Sequence, residues 1–237
     1  MHDMRPAYRP IYPIAEAARL LRLPATTLRN WTSPGPTALI NRDDLERSYL
    51  SFMNLVEAHV LAAIRQSHPV ALPNIRRALD YVQRKLKVDR PLIDPSFQRD
   101  GTDLFIEEYG ESTNISKNAR RMMKEIVDGY LQRINRDRAG LPRMFYPFTH
   151  VNGYNDASKS DPYLVMISPE ISFGRPVVKE TGVPIAEIHE RWLAGDSPED
   201  LERAFNLAYK DAHEVILWRS VQYKKTPWLR QANSAAI

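Results

Sequence analysis

The sequence predicts a mainly α fold with small β elements. Three observations carry that prediction. Apolar residues recur three and four apart along most of the first 90 residues and again after residue 184. The runs that suit a β-strand are all short: Leu39-Ile40, Leu104–Tyr109, Leu141–Thr149 and Tyr163–Ile167. Helix-start chemistry is explicit at Ser197-Pro198-Glu199-Asp200, with a cap, a first-turn proline and acids near the positive end of the dipole.

The chain's 237 residues suit one to two domains. With 43% hydrophobic and 26% charged residues, they suit a globular chain with a core. Composition divides the chain into residues 1–90, 91–150, 151–223 and a basic tail, 224–237. A Gly/Asn/Asp/Ser-rich stretch, 152–161, reads as a linker. Residues 1–90 hold 14 Lys/Arg against 8 Asp/Glu, whereas residues 151–218 hold 6 against 12, so a polyanion would meet the front of the chain. Residues 219–237 hold four Lys/Arg and no acid.

Several chemistries are set aside. The chain has no cysteine, so no disulfide, thiolate metal site or thiol nucleophile. It has no 18-residue apolar run, no signal-peptide pattern after Met1, and no Gly-rich phosphate loop. No His pair stands at i, i+4. Ile188-His189-Glu190 begins like a zinc-protease helix but has Leu193 where the second His would stand. Neither metal, cofactor nor catalysis is expected, and the chain reads as cytoplasmic.

The first helix is predicted from Ile14, Ala17, Ala18 and Leu21, one face at i, i+3, i+4, i+7. Arg22-Leu23-Pro24 breaks it, and a second helix runs from about Ala25 to Trp31. Leu28 and Trp31 point inward with Thr27 partly beside them, which leaves Thr26, Arg29 and Asn30 outward. Two short helices across a tight turn make a helix-turn-helix. Arg can fork onto guanine, Asn can pair with adenine, and Thr can meet a phosphate or a thymine methyl. A helical hairpin with a polar outer face is the plainer alternative.

Ser33–Pro36 is then a turn, Leu39-Ile40 a short return strand, and Asn41 the cap of a helix carrying Leu45, Phe52, Met53, Leu55, Val56, Val60 and Ile64. A further helix bears Ile75, Leu79, Val82 and Leu86. Leu104–Tyr109 is expected as a strand, with Ser112–Ile115 pairing back on it. A helix from Ser116 or Asn118 to about Arg138 would bury Met122, Ile126, Tyr130 and Ile134. In the rear, Pro184–Ala194 is a helix ended by Gly195. Leu201, Ala204 and Phe205 form the apolar side of the next, and Ala212, Val215 and Ile216 that of the last.

The run IAEAARLLRLPATTLRNW (14–31), with the turn and helices after it, resembles the opening of a MerR-type winged helix-turn-helix. Arg22 stands where that family has Gly at the turn, and Pro24 where it has a Ser cap. ISPEISFGRPVVKETGVPIAEIHERWLAGDSPEDLERAFNL (167–207) resembles domain of unknown function 433, a small helical domain of antitoxin-like proteins. A homeodomain-like three-helix unit is the fold this implies for 151–223. The whole order resembles VapB-type antitoxins of type II toxin–antitoxin modules.

That resemblance implies an antitoxin that neutralises a PIN-type ribonuclease toxin and represses its own operon, as a homodimer on operator DNA. Thr26, Thr27, Arg29 and Asn30 would face the bases, and Arg19, Arg22 and Arg42 the phosphates. PIN-type nucleases hold divalent metal with clustered carboxylates, so Arg219, Lys224, Lys225 and Arg230 would pair with those acids while Trp228 anchors the contact. Asp200, Glu202, Asp211 and Glu214 make the rear helices poor DNA readers and suit them to a protein partner. The main alternative is a MerR-like one-component regulator sensing a small ligand through residues 91–150, in a pocket lined by Phe105, Phe145 and Phe148. A pure interaction protein and a metal-dependent nuclease are the others.

Overall fold

A computed structural model describes residues 5–35, 38–43, 48–67, 71–148 and 161–220. Helices α1 (Ile14–Leu20) and α2 (Ala25–Thr32) lead the chain, framed by strands β1 (Tyr12–Pro13) and β2 (Tyr49–Leu50), which pair antiparallel with Tyr12 opposite Leu50. The central helix α3 (Phe52–Ser67) is followed by α4 (Leu72–Leu86), α5 (Thr102–Thr113) and α6 (Lys117–Leu131). A hairpin, β3 (Ile134–Arg136) and β4 (Pro142–Phe145), leads to a second small pair, β5 (Val165–Met166) and β6 (Val177–Val178). Helices α7 (Ile185–Leu193), α8 (Pro198–Phe205) and α9 (Tyr209–Ser220) complete it. The fold is mainly α with small β elements, as the periodicities predict.

Helix α3 is buried on all sides through its first three turns, from Phe52 to Ile64. Such a helix is a core element rather than a surface one. It does not begin at Asn41: residues 41–43 are irregular, and Leu45 lies outside the described residues. The cap is Ser51, whose hydroxyl accepts from the Asn54 amide at 3.1 Å while Asn54 Oδ1 accepts from the Ser51 amide at 3.3 Å. These reciprocal bonds satisfy two donors that a buried helix start would otherwise leave orphaned.

The region 97–113 corrects the hairpin expectation. A π-helical turn, Phe97–Gly101, runs straight into α5. A short apolar run such as Leu104-Phe105-Ile106 fits either period. The wider spacing of Phe105, Ile106, Tyr109 and Gly110 is helical, and those four are the residues α5 buries together with Thr102. Gly110, between the two expected strands, lies inside the helix, and the Arg120 side chain fills the space a Cβ would occupy there. The helix stops at Asn114, which adopts a left-handed conformation at φ 53°.

Three smaller expectations also change. Helix α6 ends at Leu131 rather than near Arg138, because Ile134 is taken up opposite Phe145 in the β3–β4 pair. Its buried stripe is Met123, Val127, Tyr130 and Leu131: Tyr130 is buried as predicted, Met123 and Val127 replace Met122 and Ile126, and Met122 is exposed. Leu39-Ile40 is not a strand. Both of its amides donate instead to the Trp31 carbonyl, at 2.9 and 3.0 Å, closing the C-terminal end of α2. In the rear, Ala204 is exposed although Leu201 beside it is fully buried.

One apolar core runs from Tyr12 through α3 to Trp218. The two hairpins are joined where Phe145 and Ile167 exchange backbone hydrogen bonds, both at 3.0 Å. Front and rear also meet at Tyr12, whose hydroxyl donates to the Gly174 carbonyl at 2.8 Å. Gly174 has φ 81°, and the Tyr12 and Ile11 side chains fill the position of a Cβ there, so only glycine fits.

A buried ion pair clamps the same region. The Arg133 guanidinium, 1% exposed, meets Asp161 Oδ2 at 2.8 Å and also donates to the carbonyls of Tyr146, Asp161 and Pro162. Phe148 and Tyr163 lie against it at 4.2 and 4.5 Å. Burial pushes the guanidinium below the usual arginine range, and Asp161, Tyr163 and Tyr130 oppose that shift. Asp161→Ala leaves the guanidinium buried without its counter-charge and is expected to cost about 3–5 kcal/mol. Urea unfolding monitored by circular dichroism reads that loss, and an unchanged midpoint would contradict it.

Candidate nucleic-acid interface

Helix α1 buries Ile14, Ala17, Ala18 and Leu20 and exposes Arg19. The turn after it is made by Arg22 at φ 54°, a left-handed conformation at the position where glycine is the usual residue. The Leu23 amide then returns to the Ala18 carbonyl at 2.8 Å, which closes the turn. Pro24 precedes α2 in an extended conformation and fixes its entry.

Helix α2 is sharply two-sided. Leu28 and Trp31 are 0% and 1% exposed, while Thr26, Arg29 and Asn30 are exposed and Thr27 is half-buried. The far end is held by polar contacts: the Thr32 hydroxyl donates to the Leu28 carbonyl at 2.8 Å and the Ser33 hydroxyl to the Arg29 carbonyl at 2.7 Å. The Arg29 and Asn30 side chains take no part in these backbone contacts. A rigid helix thus offers a guanidinium, a carboxamide and a hydroxyl on one solvent face, the donor and acceptor set that base edges require.

The expected phosphate contacts are placed less uniformly. Arg19 is exposed and pairs with Glu16 at 3.3 Å; Arg22 and Arg42 are half-buried. Of the residues expected to hold a protein partner, Lys224, Lys225, Trp228 and Arg230 lie outside the described residues. Arg219 is described, on α9, half-buried. Burial, and then Arg19, push its guanidinium down from the usual arginine range, with Glu16 and Glu190 opposing. His189 on α7 belongs to the same group: burial, Arg219 and Arg19 lower it. Arg19 and Arg219, assigned from sequence to two different surfaces, therefore stand in one charged cluster where α1 meets the rear helices.

Two supports behind this face carry no local signal in the sequence. Arg90 holds Glu57 through two bonds, at 3.0 and 2.5 Å, and Asp43 through a third at 3.0 Å. Glu57 also accepts from Asn54, and Asn54 donates to the Asn41 carbonyl at 2.8 Å. This network ties the stretch after α2 to α3. The second support is His59, 2% exposed, among Tyr130, Phe145 and Phe148, beside a small cavity under Leu20, Leu21 and Arg22. Burial lowers its pKa to about 3, helped by Arg133 and opposed by its hydrogen bond to the Tyr130 carbonyl.

Of the three phenylalanines considered for a ligand pocket, Phe145 and Phe148 both lie against His59, and Phe105 packs elsewhere. Phe105 stacks on Tyr109 at 6.0 Å, whereas Phe145 packs on Phe52 and His59, and Phe148 on Tyr130 at 4.5 Å. Among the described residues no three His, Asp or Glu side chains group to hold a metal ion, and no helix is long and apolar enough to cross a membrane.

Comparison with known proteins adds three likenesses. Residues 165–218 match the family described as Protein of unknown function (DUF433). The Mycobacterium tuberculosis protein named "Putative antitoxin VapB45" is 27% identical over 206 residues, which cover 76% of this chain and 81% of that protein. The crystal structure of Rv2018 from Mycobacterium tuberculosis superposes with a TM-score of 0.66 at 22% identity, over 88% of this chain and 98% of that one. That likeness shows a shared fold across nearly the whole chain.

A pH dependence follows from His59. Its folded pKa lies below the unfolded value of 6.5, so between those values the unfolded chain binds the extra proton. Stability is complete above pH 6.5 and falls on acidification, with a slope approaching about 1.4 kcal/mol per pH unit from this residue. Urea midpoints at pH 6.5 and 5.0 should separate for the wild type and move closer together in His59→Gln. An equal separation in both proteins would count against the assignment.

Proposed function

We propose that this protein is the antitoxin of a type II toxin–antitoxin module and the repressor of its own operon. The observation that carries the reading is the division of α2: Leu28 and Trp31 packed inward, Thr26, Arg29 and Asn30 turned to solvent. The excess of basic residues in 1–90, the match of 165–218 to the DUF433 family and the name of the Mycobacterium tuberculosis relative support it. The protein acts by binding and has no catalytic step of its own.

In this reading the α1–turn–α2 unit is a MerR-like helix-turn-helix whose second helix enters the major groove. Thr26, Thr27, Arg29 and Asn30 meet base edges; Arg19, Arg22 and Arg42 neutralise phosphates. One such unit binds weakly, so a homodimer places two of them on half-sites about 34–36 Å apart. The partner is a PIN-type ribonuclease in the cytoplasm, held by the rear helices and the basic tail. Cationic side chains of that tail, Lys224, Lys225 and Arg230, compete with metal for the nuclease carboxylates, and Trp228 supplies desolvated contact area.

Two measurements test the halves separately. Fluorescence anisotropy with DNA from upstream of the gene should show Arg29→Ala weakening binding by about 1–3 kcal/mol and narrowing the gap between that DNA and a scrambled duplex. Equal affinity of the wild type for both duplexes removes the repressor half. Deleting residues 224–237 should abolish inhibition of the neighbouring toxin in an RNA-cleavage assay while leaving DNA binding in place. Undiminished inhibition removes the tail's role.

A further inference from the structure

We propose that Phe173, in the turn between β5 and β6, anchors a docking surface for a protein partner that offers an apolar socket bordered by carboxylates. Its side chain is 90% exposed, the most exposed large apolar side chain among the described residues. One exposed apolar residue is ordinary; the backbone beneath this one is not. Ser172, Phe173 and Gly174 follow one another in the left-handed region, at φ 48°, 55° and 81°. Glycine tolerates that region, whereas a bulky residue is strained there. The chain thus holds a strained backbone under a ring that gains no burial from it. Strain of this kind persists where a functional contact offsets it.

The turn is tied down on both sides. The Gly174 amide donates to the Ile171 carbonyl at 3.0 Å, and the Arg175 amide to the Ser172 carbonyl at 3.1 Å. The Gly174 carbonyl accepts from the Tyr12 hydroxyl, and the Tyr12 and Ile11 side chains fill the space beside the Gly174 backbone. The ring is therefore presented from a fixed base, and a partner that buries it has no loop to order first. Ile11, 39% exposed, lies at the foot of the turn and widens the apolar area.

The charges around the turn select the partner. Arg175 stands two residues after Phe173 and Arg9 two before Ile11, and both are exposed. Neither makes an ion pair among the described residues, and the acids nearest in sequence are engaged elsewhere: Glu170 by Arg143 at 2.7 Å and Glu180 by Lys179 at 3.3 Å. Carboxylates on the rim of a partner's socket would pair with these two guanidiniums while the ring fills its desolvated centre. A second copy of this chain in two-fold contact would instead set the guanidiniums against their own images. A duplex or an anionic membrane would meet the segment 151–218, with 6 Lys/Arg against 12 Asp/Glu. A different protein fits best, and under the proposed function it is the toxin. That identity rests on the antitoxin reading; the turn itself lies outside the helices and tail already assigned to the toxin.

The test measures binding of the full-length protein to the purified toxin encoded beside its gene, by biolayer interferometry at fixed ionic strength. Phe173→Gly should weaken binding at least tenfold, yet its urea midpoint should not fall below that of the wild type, because glycine relieves the left-handed strain. The double variant Arg9→Glu, Arg175→Glu should also weaken binding at least tenfold, and Glu125→Gln, exposed on α6, should leave it unchanged. Full affinity in Phe173→Gly, or lost affinity together with a lowered urea midpoint, would overturn the proposal and leave the antitoxin reading in place. Full affinity in the double variant would overturn the acidic rim. Weaker DNA binding by Phe173→Gly, or dissociation of a homodimer on that change in sedimentation, would put a duplex or a second copy on the ring and overturn it too. A wild-type protein that does not bind the toxin refutes the antitoxin reading itself, and this partner with it.

Discussion

Everything at the front of the molecule depends on the burial of one side of a short helix. Helix α2 has little intrinsic stability, because eight residues are too few to hold a helix in water. Leu28 and Trp31 anchor it in the core, and the amides of Leu39 and Ile40 secure its last turn through the Trp31 carbonyl. With the inner pair fixed, the 3.6-residue repeat leaves Thr26, Arg29 and Asn30 no direction but outward. The left-handed Arg22 sets the angle at which α2 leaves α1, so the placement of that face is decided by a residue that is not on it.

The front and rear of the chain form one packed body. The Tyr12–Gly174 bond, the Phe145–Ile167 exchange and the Arg133–Asp161 pair each cross the interval around residue 150. Arg19 and Arg219 then share one charged cluster with Glu16, His189 and Glu190. Two surfaces that composition separates are thus adjacent in space.

The turn and faces of α1–α2, the stripe on α4 and the rear helices were legible because their signals are local: period, proline, cap and charge. Ser197 illustrates this, since its hydroxyl accepts from the Asp200 amide while Asp200 accepts from the Ser197 amide, as their spacing predicts. Leu104–Tyr109 was misread because a three-residue apolar run carries no period, and because Gly110 serves a close approach by Arg120 that no local pattern encodes. Met122 and Met123 each complete a plausible stripe, and only packing against α3 selects the second. The Arg90–Glu57–Asp43 network, the Arg133–Asp161 pair and buried His59 join residues far apart in sequence. Pairings of that kind are invisible until the fold brings them together.

The most direct test of the outward face of α2 uses the absence of cysteine in the chain. Thr26→Cys would carry a tethered iron–EDTA cleaver, the full-length protein would be bound to DNA from upstream of its gene, and the strand cuts would be mapped. Focused cuts within two short windows about one helical turn apart are the predicted result. Uniform cutting along the duplex, or a pattern no sharper than that from a cleaver at Glu180→Cys on the rear of the chain, would contradict it.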